Sequence, residues 1–580
     1  MELLGKPVSQ GVVIGEVLRY EPFRPEVEES PIPATEVPQA LARYEQARAS
    51  ARAELAALEE KLKGGDPDKA KILAAHRDIL LDPAMDEEIR ALVKSQNASP
   101  DAAIAQVYDT YAAVLGRSKN PMMRERASDL ADVKLRLLRC WAGAPERDLS
   151  SLPEPVIVVA DDLFPSDTVA LDRAHVLGIV TQVGGGTSHT AIIARSYEIP
   201  AVLGVAGVIE CLTDGQTVIL DAVEGKILTE PSEQELTAYR AKADQVSARL
   251  REEKTYLSTE PVTRDRVRLE VRLNVAAVND RELSGTAHTD GCGLFRTEFL
   301  YLSGDRLPGE EEQFQAYQKV LAAFGSKPVV LRTMDIGGDK QLPALELPKE
   351  SNPFLGIRGL RLSLDRMDLF RIQIRAALRA SVHGNLKIMM PMVGALDEVR
   401  AAKTVFKEEG AALDAAGIPW DHGTELGIMV EVPSIALIAD LIADEVDFVS
   451  VGTNDLTQYL CAADRMNPAV RPYYQEYHPA VFRVLNDLAR TFQTAGKSVS
   501  VCGELGGDPL AIPVLAGLGI HKLSMGRSSV PAAKRVIRNL NMADAKALAQ
   551  EVQGMKTAED IRARLTAFAE RATEGSNQHV

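Results

Sequence analysis

A twelve-residue stretch from Gly184 to Arg195, which reads GGGTSHTAIIAR, combines residue types that could carry a phosphoryl group. Its three glycines let the main chain approach a ligand closely. His189 follows Ser188 and precedes an apolar run, and a Ser or Thr before such a run is a helix N-cap signal. The start of a helix favours an anion through its free N–H groups and its dipole. The stretch therefore predicts a histidine that accepts a phosphoryl group on a ring nitrogen. The alternative is a glycine-rich turn with a packed histidine.

A second set of chemical residues lies in the C-terminal half, where strand-like and helical segments alternate after Thr263. This alternation is typical of βα units. Eight segments have the pattern of strands: 267–275, 291–296, 328–334, 386–392, 426–431, 446–452, 498–503 and 521–525. Eight such units in about 320 residues predict a (β/α)8 barrel of the TIM type.

Chemistry in such barrels gathers at the carboxyl ends of the strands. Those ends and the loops after them carry Arg296, Arg332, Lys340, Glu431, Asn454, Asp455, Arg465 and Cys502. Converging arginines indicate a small, multiply charged anion, which guanidinium groups bind through paired N–H bonds. Glu431 and Asp455 end neighbouring strands and are suited to share Mg²⁺. The structural alternatives are surface ion pairs for the arginines, and helix capping or pairing with an arginine for the two carboxylates.

Cys502 has two interpretations. A thiol of ordinary pKa, about 8.5, is mostly protonated near neutral pH and could donate its proton to a developing enolate carbon. A small buried hydrophobic side chain is the usual role of a free cysteine.

The composition is that of a globular protein of several domains, with 580 residues, 46% of them hydrophobic. A formal net charge of −16 argues against a nucleic-acid partner or an anionic membrane surface. The five cysteines are scattered without a C-x-x-C pair, which argues against a disulfide framework or a zinc site. The sequence has no run of about 18 or more apolar residues, so it predicts no segment that inserts into a membrane. We therefore expect a cytoplasmic protein.

The N-terminal half has the pattern of a small α/β domain interrupted by helices. Residues 3–20 predict two short strands around a Ser-Gln-Gly turn. Helical segments follow at 35–62, 67–82, 84–96, 100–116 and 124–142. Strand-like segments resume at 155–160, 175–180, 201–204 and 217–221. Ser232 and Glu235, spaced as a capping box, then begin a charged helical run that predicts a solvated connector.

The predicted organisation is therefore multidomain α/β. Residues 1–20 and 146–230 form an α/β domain that carries His189, residues 21–145 form an inserted helical subdomain, residues 231–260 form a helical linker, and residues 261–580 form the barrel.

Several long motifs resemble a known family. They are GGGTSHTAIIARSYEIPAVLG (184–204), GLFRTEFLY (293–301), LRTMDIGGDK (331–340), NPFLGIRGLR (352–361), IMVEVPS (428–434), SVGTNDLTQY (450–459) and CGELGGDP (502–509). Together with ILAAHRDILLDP (72–83) in the helical insertion, they resemble Enzyme I, the phosphoenolpyruvate–protein phosphotransferase of the bacterial sugar phosphotransferase system. The resemblance covers nearly the whole chain.

The resemblance implies a role for each candidate residue. His189, on a swivelling phosphohistidine domain, would accept the phosphoryl group of phosphoenolpyruvate on Nε2, and Thr168 would hydrogen-bond the other ring nitrogen. The implied phosphoenolpyruvate-binding residues are Arg296, Arg332, Lys340, Asn454, Asp455 and Arg465. Glu431 and Asp455 would bind Mg²⁺, and Cys502 would protonate the enolate to pyruvate.

The resemblance also implies two protein partners. The helical subdomain would bind the histidine-containing carrier protein HPr, with Asp66, Asp68 and His76 as candidate surface residues. For His76 an ordinary place on a helix face is the alternative. A second copy would bind through the barrel to form a homodimer. Because His189 and the anion site fall on different domains, we expect the N-terminal half to swing about the 231–260 linker.

Three other readings compete with this one. A dikinase or synthase that uses phosphoenolpyruvate would need a nucleotide-binding domain, for which the sequence offers neither a Walker motif nor a long enough unassigned segment. The nitrogen-regulatory paralogue usually adds an N-terminal sensory domain, whereas strands here begin at residue 3. A non-catalytic regulatory protein that binds HPr would not require every implied site residue.

Overall fold

The computed structural model describes residues 2–574 except 21, 22, 24, 26, 28, 29, 64–66, 117–120, 145–148, 150, 151, 164–166, 168–170, 185–187, 303–305, 338–344 and 346–349. The chain divides into two compact units, Met1–Arg251 and Glu252–Val580. The observed folds of both units agree with the predicted fold class, an α/β unit with a helical insertion and a parallel barrel.

The N-terminal unit contains an eight-stranded mixed sheet. Its strands are β1 (Glu2–Leu4), β2 (Lys6–Ser9), β3 (Val12–Tyr20), β4 (Val156–Ala160), β5 (Val176–Thr181), β6 (Ala201–Leu203), β7 (Thr217–Asp221) and β8 (Lys226–Leu228). The strand order is β1-β8-β7-β3-β4-β5-β6-β2, with β3, β4, β5 and β6 parallel to one another. Among its described residues, the α/β part also contains two short helices, His189–Tyr197 and Val208–Cys211.

Three strands, rather than the predicted two, form the start of the chain. β1 and β2 stand at opposite ends of the strand order although only Gly5 separates them, so the sheet curls until its two ends meet there. A side chain at Gly5 would have no room, since a Cβ would lie 2.5 Å from Val205 and 2.6 Å from Val202. The prediction missed the break at Gly5, which separates β1 from β2.

The predicted helical insertion is present as five helices between β3 and β4. They are Val37–Lys63, Pro67–Leu80, Pro83–Gln96, Pro100–Gly116 and Pro121–Ala142. Their shared core is built from large apolar side chains such as Tyr44, Leu73, Ile89, Ile104 and Leu137. Asp82 caps the third helix by accepting hydrogen bonds from the N–H groups of Ala84 and Met85.

The predicted connector is a helix, Glu233–Tyr256, and its capping box forms as expected between Ser232 and Glu235. It is not solvated on all sides. Side chains at three- and four-residue spacing on one face pack against Val12 and Ile219 of the sheet: Leu236, Tyr239, Ala243, Val246 and Leu250. Lys242 on the same helix pairs with the buried Asp221. The helix as far as Leu250 is therefore part of the N-terminal unit.

The C-terminal unit is a closed barrel of eight parallel strands, which confirms the prediction. The strands are β9 (Glu270–Val275), β10 (Cys292–Arg296), β11 (Pro328–Arg332), β12 (Asn385–Met390), β13 (Glu425–Val430), β14 (Phe448–Val451), β15 (Ser498–Val501) and β16 (Lys522–Met525). The larger helices around them are Glu310–Phe324, Met367–Ala380, Leu396–Ala415, Pro479–Thr494, Val530–Asn539, Met542–Gly554 and Ala558–Glu574.

The inside of the barrel is filled by side chains rather than open. Leu294, Val330, Met389, Met429, Phe448 and Cys502 form one interior cluster, separate from the larger core between strands and helices. Because side chains alternate along each strand, the residue two positions after a member of this cluster faces the same interior, nearer the carboxyl mouth of the barrel. Among the helices in the described part of the chain, none is long and apolar enough to cross a membrane.

Candidate functional site

The predicted phosphoryl-accepting stretch begins a helix, as expected. The helix His189–Tyr197 is capped by Ser188, whose Oγ accepts a hydrogen bond from the N–H of Ala191 at 3.2 Å. Gly184 has a φ of 105°, a conformation that other residues rarely adopt. His189 therefore stands at the first turn of a helix, where free N–H groups favour an anion. The side chain of His189 and all of Thr168 lie outside the described residues.

The barrel mouth brings the predicted arginines together at the ends of adjacent strands. Arg296 ends β10 and Arg332 ends β11, and the two are opposite each other in the strand register. Arg296 remains accessible to solvent. Desolvation by the surrounding protein, together with the charge of Arg332, lowers the pKa of Arg296. Two cations held this close indicate a site that an anion would stabilise.

Arg332 is buried and held by two carboxylates. Its Nη2 donates to Glu298 Oε1 at 2.7 Å, and its Nη1 lies 3.0 Å from Asp335 Oδ2. Burial acts to lower the pKa of Arg332, but the charges of Glu298, Asp335 and Glu431 outweigh it and raise this pKa. Nε of Arg332 is buried without a hydrogen-bond partner among the described residues. The guanidinium is thus fixed in place, and its Nε–H is uncommitted among the described residues.

The sequence reasoning missed Arg358, which lies in the motif at 352–361. Its guanidinium donates to both oxygens of Asp335, at 2.9 and 3.0 Å, and to both oxygens of Asp455, at 3.3 and 3.2 Å. Burial acts against its charge, yet the carboxylates raise the pKa of Arg358. The position follows no strand end, so only its membership of a motif could have identified it.

Glu431, which follows β13, is completely buried. Its Oε1 accepts a hydrogen bond from the N–H of Met392 at 2.7 Å, whereas its Oε2 has no partner among the described residues. Burial first, and then the charges of Asp455 and Asp335, raise the pKa of Glu431 to about 8. A buried carboxylate oxygen without a partner is unfavourable unless a ligand satisfies it.

Asn454, Asp455 and Arg465 follow β14, and the charge of Asp455 acts on Glu431. Asp455 is buried and forms an ion pair with Arg358. Nη2 of Arg465 lies 3.5 Å from Oδ1 of Asp455. Oδ1 of Asn454 accepts the N–H of Glu504 at 2.9 Å, which ties this segment to the loop after Cys502. Of the eight predicted barrel residues, Lys340 lies outside the described residues.

Cys502 is buried beside this cluster, and its Sγ contacts the carbonyl of Val451 at 3.7 Å. Burial raises the pKa of its thiol to about 11, although the hydroxyl of Ser450 and the charges of Arg332 and Arg296 act to lower it. The thiol is therefore protonated at neutral pH, as donation of a proton requires. None of the five cysteines, all of which are described, forms a disulfide.

A buried hydrogen-bond network supports the loop after β11. Nε2 of Gln373 donates to the hydroxyls of Thr297 and Tyr317, each at 3.1 Å, and its Oε1 accepts the N–H of Met334 at 2.8 Å. Thr297 in turn donates to the carbonyl of Arg332 at 2.9 Å. The network fixes the backbone on both sides of Thr333, directly after Arg332.

His76, one of the three candidate residues in the helical insertion, is placed differently from the expectation of a surface position. His76 is only 1% exposed, with Nε2 3.2 Å from Asp129 and Nδ1 3.8 Å from Asp132. Its ring therefore lies inside the bundle rather than on the surface, because it pairs with these two carboxylates of the helix Pro121–Ala142. Asp66, and the side chain of Asp68, lie outside the described residues.

Four arginines and four carboxylates make up the described part of the barrel site. They are Arg296, Arg332, Arg358, Arg465, Glu298, Asp335, Glu431 and Asp455. Because the pKa of Glu431 is about 8, this carboxyl is mostly protonated at neutral pH, and the described groups then carry one more positive than negative charge, which favours an anion. No group of three or more His, Cys, Asp or Glu residues in the described part of the chain forms a metal cage by itself. Mg²⁺ typically takes one or two carboxylates and completes its shell with substrate oxygens and water.

Comparison with known proteins covers nearly the whole chain. A family model described as the PEP-binding domain of PEP-utilising enzymes matches residues 250–542. Models for the N-terminal part and the mobile domain of PEP-utilising enzymes match residues 4–126 and 152–225.

Two curated relatives match this chain over almost their full lengths. A phosphoenolpyruvate-protein phosphotransferase of Priestia megaterium is 42% identical over 562 residues, which cover 97% of this chain and 98% of the relative. One from Bacillus subtilis (strain 168) is 40% identical over 563 residues, with 97% and 98% covered. A solved structure described as an NMR solution structure of Enzyme I (nEIt) protein covers 42% of this chain and 98% of its own, at 35% identity and a TM-score of 0.39.

Proposed function

Because the chain belongs to the phosphoenolpyruvate–protein phosphotransferase family, the Enzyme I family that its motifs resemble, we propose that it transfers the phosphoryl group of phosphoenolpyruvate to His189 and then to a histidine of the carrier protein HPr. The observation that carries the proposal is the cluster of arginines and carboxyl groups at the barrel mouth. It joins two strand-end arginines to a buried carboxylate with a free oxygen.

The anion site accounts for binding of the donor. Arg296, Arg332 and Arg465 are set to hold the phosphate and carboxylate of phosphoenolpyruvate, with Asn454 beside them. Lys340 and Asp455 complete the proposed set. Arg332 supports this role because Glu298 and Asp335 fix its guanidinium while its Nε remains uncommitted. A preorganised cation stabilises developing charge without reorganising during the transfer.

Glu431 and Asp455 fit a divalent cation, and we assign Mg²⁺ to them. The fit rests on the buried Oε2 of Glu431, which has no partner among the described residues, and on the charge of Asp455 that raises the pKa of Glu431. When bound, Mg²⁺ supplies charge neutralisation to the oxygens of the transferring group. Cys502 then donates its thiol proton to C3 of the enolate, which gives pyruvate.

His189 must meet phosphoenolpyruvate at the barrel and then HPr, so we propose that the domain that bears it swings about the 231–260 linker, with the hinge in the part of the linker beyond Leu250. Thr168 is the proposed hydrogen-bond partner that orients the ring of His189. In-line transfer needs donor and acceptor about 3–3.5 Å apart. Cross-linking this domain to the barrel rim should abolish at least one half-reaction. If both half-reactions survive the cross-link, the swing is not needed.

The helical subdomain, residues 21–145, is the proposed binding surface for HPr. Asp66 and Asp68 are its candidate contact residues. His76, whose ring is buried, would act beneath the surface by joining two helices through Asp129. Exchange of Asp66 and Asp68 for asparagine should raise the KM for HPr and leave labelling of His189 by phosphoenolpyruvate unchanged.

We also propose a homodimer through the barrel. Leu437 and Leu441 are 80% and 56% exposed on consecutive short helices, Pro433–Leu437 and Ala439–Ala443. A second copy would bury these side chains. Sedimentation of a variant with aspartate at both positions should show a monomer. Val382→Asp, at another exposed apolar position, serves as the control.

Labelled phosphoenolpyruvate with Mg²⁺ tests the central proposal. The expected product is an acid-labile, base-stable phosphoprotein that His189→Ala does not form and that purified HPr discharges. A wild-type chain that takes no label is a regulatory protein that binds HPr without turnover. A chain labelled by ATP instead is a dikinase-type relative.

A further inference from the structure

Ser450 faces the same interior space as Cys502. β14 and β15 are parallel neighbours in which Ser450 is opposite Ser500 and Val451 is opposite Val501. Phe448 belongs to the interior cluster that includes Cys502, and side chains two residues apart on a strand share a face. At the next position on that face, a Cβ on Gly452 would lie 2.7 Å from Oε2 of Glu431. This face of β14 therefore looks into the barrel mouth.

The hydroxyl of Ser450 is not committed to the backbone. It is buried and forms no hydrogen bond of standard geometry with a described residue, but it lies close enough to the Cys502 thiol to act on it as a hydrogen-bonding group. By contrast, Oγ of Ser500 on the paired strand donates to the carbonyl of Val449 at 3.3 Å. Buried hydroxyls are nearly always paired, so the group that this hydroxyl can reach decides its role. The group beside it is the Cys502 thiol, whose pKa the hydroxyl lowers.

Cys502 needs a hydrogen-bond donor once its proton has left. Its own N–H is already bonded to the carbonyl of Val451 at 3.1 Å, and the same carbonyl is the group that its Sγ contacts. A carbonyl stabilises the thiol and repels a thiolate. Burial raises the pKa of this thiol to about 11, so loss of the proton is costly without a donor at hand.

We propose that Ser450 is a positioning residue for proton transfer, and that its O–H donates a hydrogen bond to the sulfur of Cys502 as the thiolate forms. The S–H bond breaks while a C–H bond forms at C3 of the enolate from its π electron pair, and the enolate oxygen becomes the carbonyl oxygen of pyruvate. The sulfur keeps the S–H electron pair and takes a proton from water after pyruvate leaves. This inference rests on the proposed function.

The test separates proton transfer from phosphoryl transfer in the full-length chain with Mg²⁺. Labelled phosphoenolpyruvate reports phosphorylation of the protein. Exchange of the methyl hydrogens of pyruvate for deuterium in D₂O, followed by proton NMR while the enzyme turns over, reports proton transfer at C3. Ser450→Ala should slow the exchange by about 10- to 100-fold, which is the rate effect expected from the loss of one hydrogen bond to a charged group. The phosphoprotein should still form at the wild-type rate. Ser450→Thr retains a hydroxyl and should restore the exchange.

Ser500→Ala is the matched control, because it removes a buried hydroxyl from the adjacent strand without touching the thiol; it should behave as wild type. The proposal is overturned if Ser450→Ala exchanges at the wild-type rate while Cys502→Ala does not exchange. It is also overturned if both readouts fall together in Ser450→Ala and threonine restores neither, since that is a folding defect. Wild-type exchange in Cys502→Ala overturns the role of Cys502 as proton donor and this inference with it, whereas a wild-type chain without label overturns the proposed function itself.

Discussion

Replacing Glu431 with glutamine should stabilise the metal-free barrel at pH 8 and change it little at pH 5. The carboxylate is completely buried, and only one of its oxygens accepts a hydrogen bond, from the N–H of Met392. Glutamine has nearly the same shape, can keep that hydrogen bond through its amide oxygen, and carries no charge. The variant therefore removes a buried charge without leaving a cavity.

The size of the effect follows from the pKa of Glu431, which the fold raises from 4.5 to about 8. A carboxyl with a raised pKa favours the folded state fully below pH 4.5, and this stability is lost as the pH rises towards 8. Each pH unit in that window costs about 1.4 kcal/mol, so the loss reaches roughly 4 kcal/mol by pH 8 and about 1 kcal/mol at pH 5. Glutamine does not titrate and escapes this loss.

Urea titration in the presence of a chelator is the assay, at pH 5 and at pH 8. The barrel transition must be followed by itself, because the chain divides into two units and need not unfold in one step. Excess Mg²⁺ should then stabilise the wild type but not the variant, since ligands stabilise the state that binds them. Glu425→Gln, which removes a partly exposed carboxylate at the start of β13, is the control. A Glu431→Gln barrel no more stable than wild type at pH 8, or equally shifted at both pH values, would refute the reasoning.

Three further substitutions test other parts of the structure. Arg358→Lys cannot bridge two carboxylates with a planar fork, so the rate of phosphoprotein formation should fall at least tenfold, about 1.4 kcal/mol in the barrier; a wild-type rate contradicts its bridging role. Ser188→Ala removes a helix cap, so thermal unfolding of the N-terminal unit should show a loss of about 1 kcal/mol, and an unchanged midpoint would mean that the cap contributes nothing. Lys242→Met leaves the buried Asp221 without its cation and should cost about 3 kcal/mol in urea unfolding, whereas Lys226→Met, from an exposed pair, should cost under about 1; equal losses would deny the importance of burial.

The elements of this fold could be predicted from the sequence because their signals are local. The barrel strands are apolar runs with turn residues between them, and the capping box at Ser232 is a four-residue pattern that the structure forms. The strand ends also identified Arg296, Arg332 and Glu431, because parallel strands bring their carboxyl ends to one face of a barrel. Short strands beside a sterically required glycine, such as β1 and β2 around Gly5, do not stand out in the pattern.

Interactions between distant segments could not be predicted in the same way. Arg358 pairs with Asp455, 97 residues further along the chain, and no spacing rule links the two positions. His76 lies on a helix whose sequence does not say which face another helix covers, so its burial against Asp129 required the structure. The charged connector likewise concealed an apolar face that includes Leu236 and Val246.

The packing of the connector helix determines where the chain can be divided. A fragment that stops at residue 230 would expose Val12 and Ile219 to water and leave Asp221 without the lysine that neutralises it. Such a protein would be expected to aggregate or to form dimers through the uncovered sheet. A fragment that extends through residue 251 keeps this cover, and a protease that cuts just beyond Leu250 should release a soluble, folded N-terminal half.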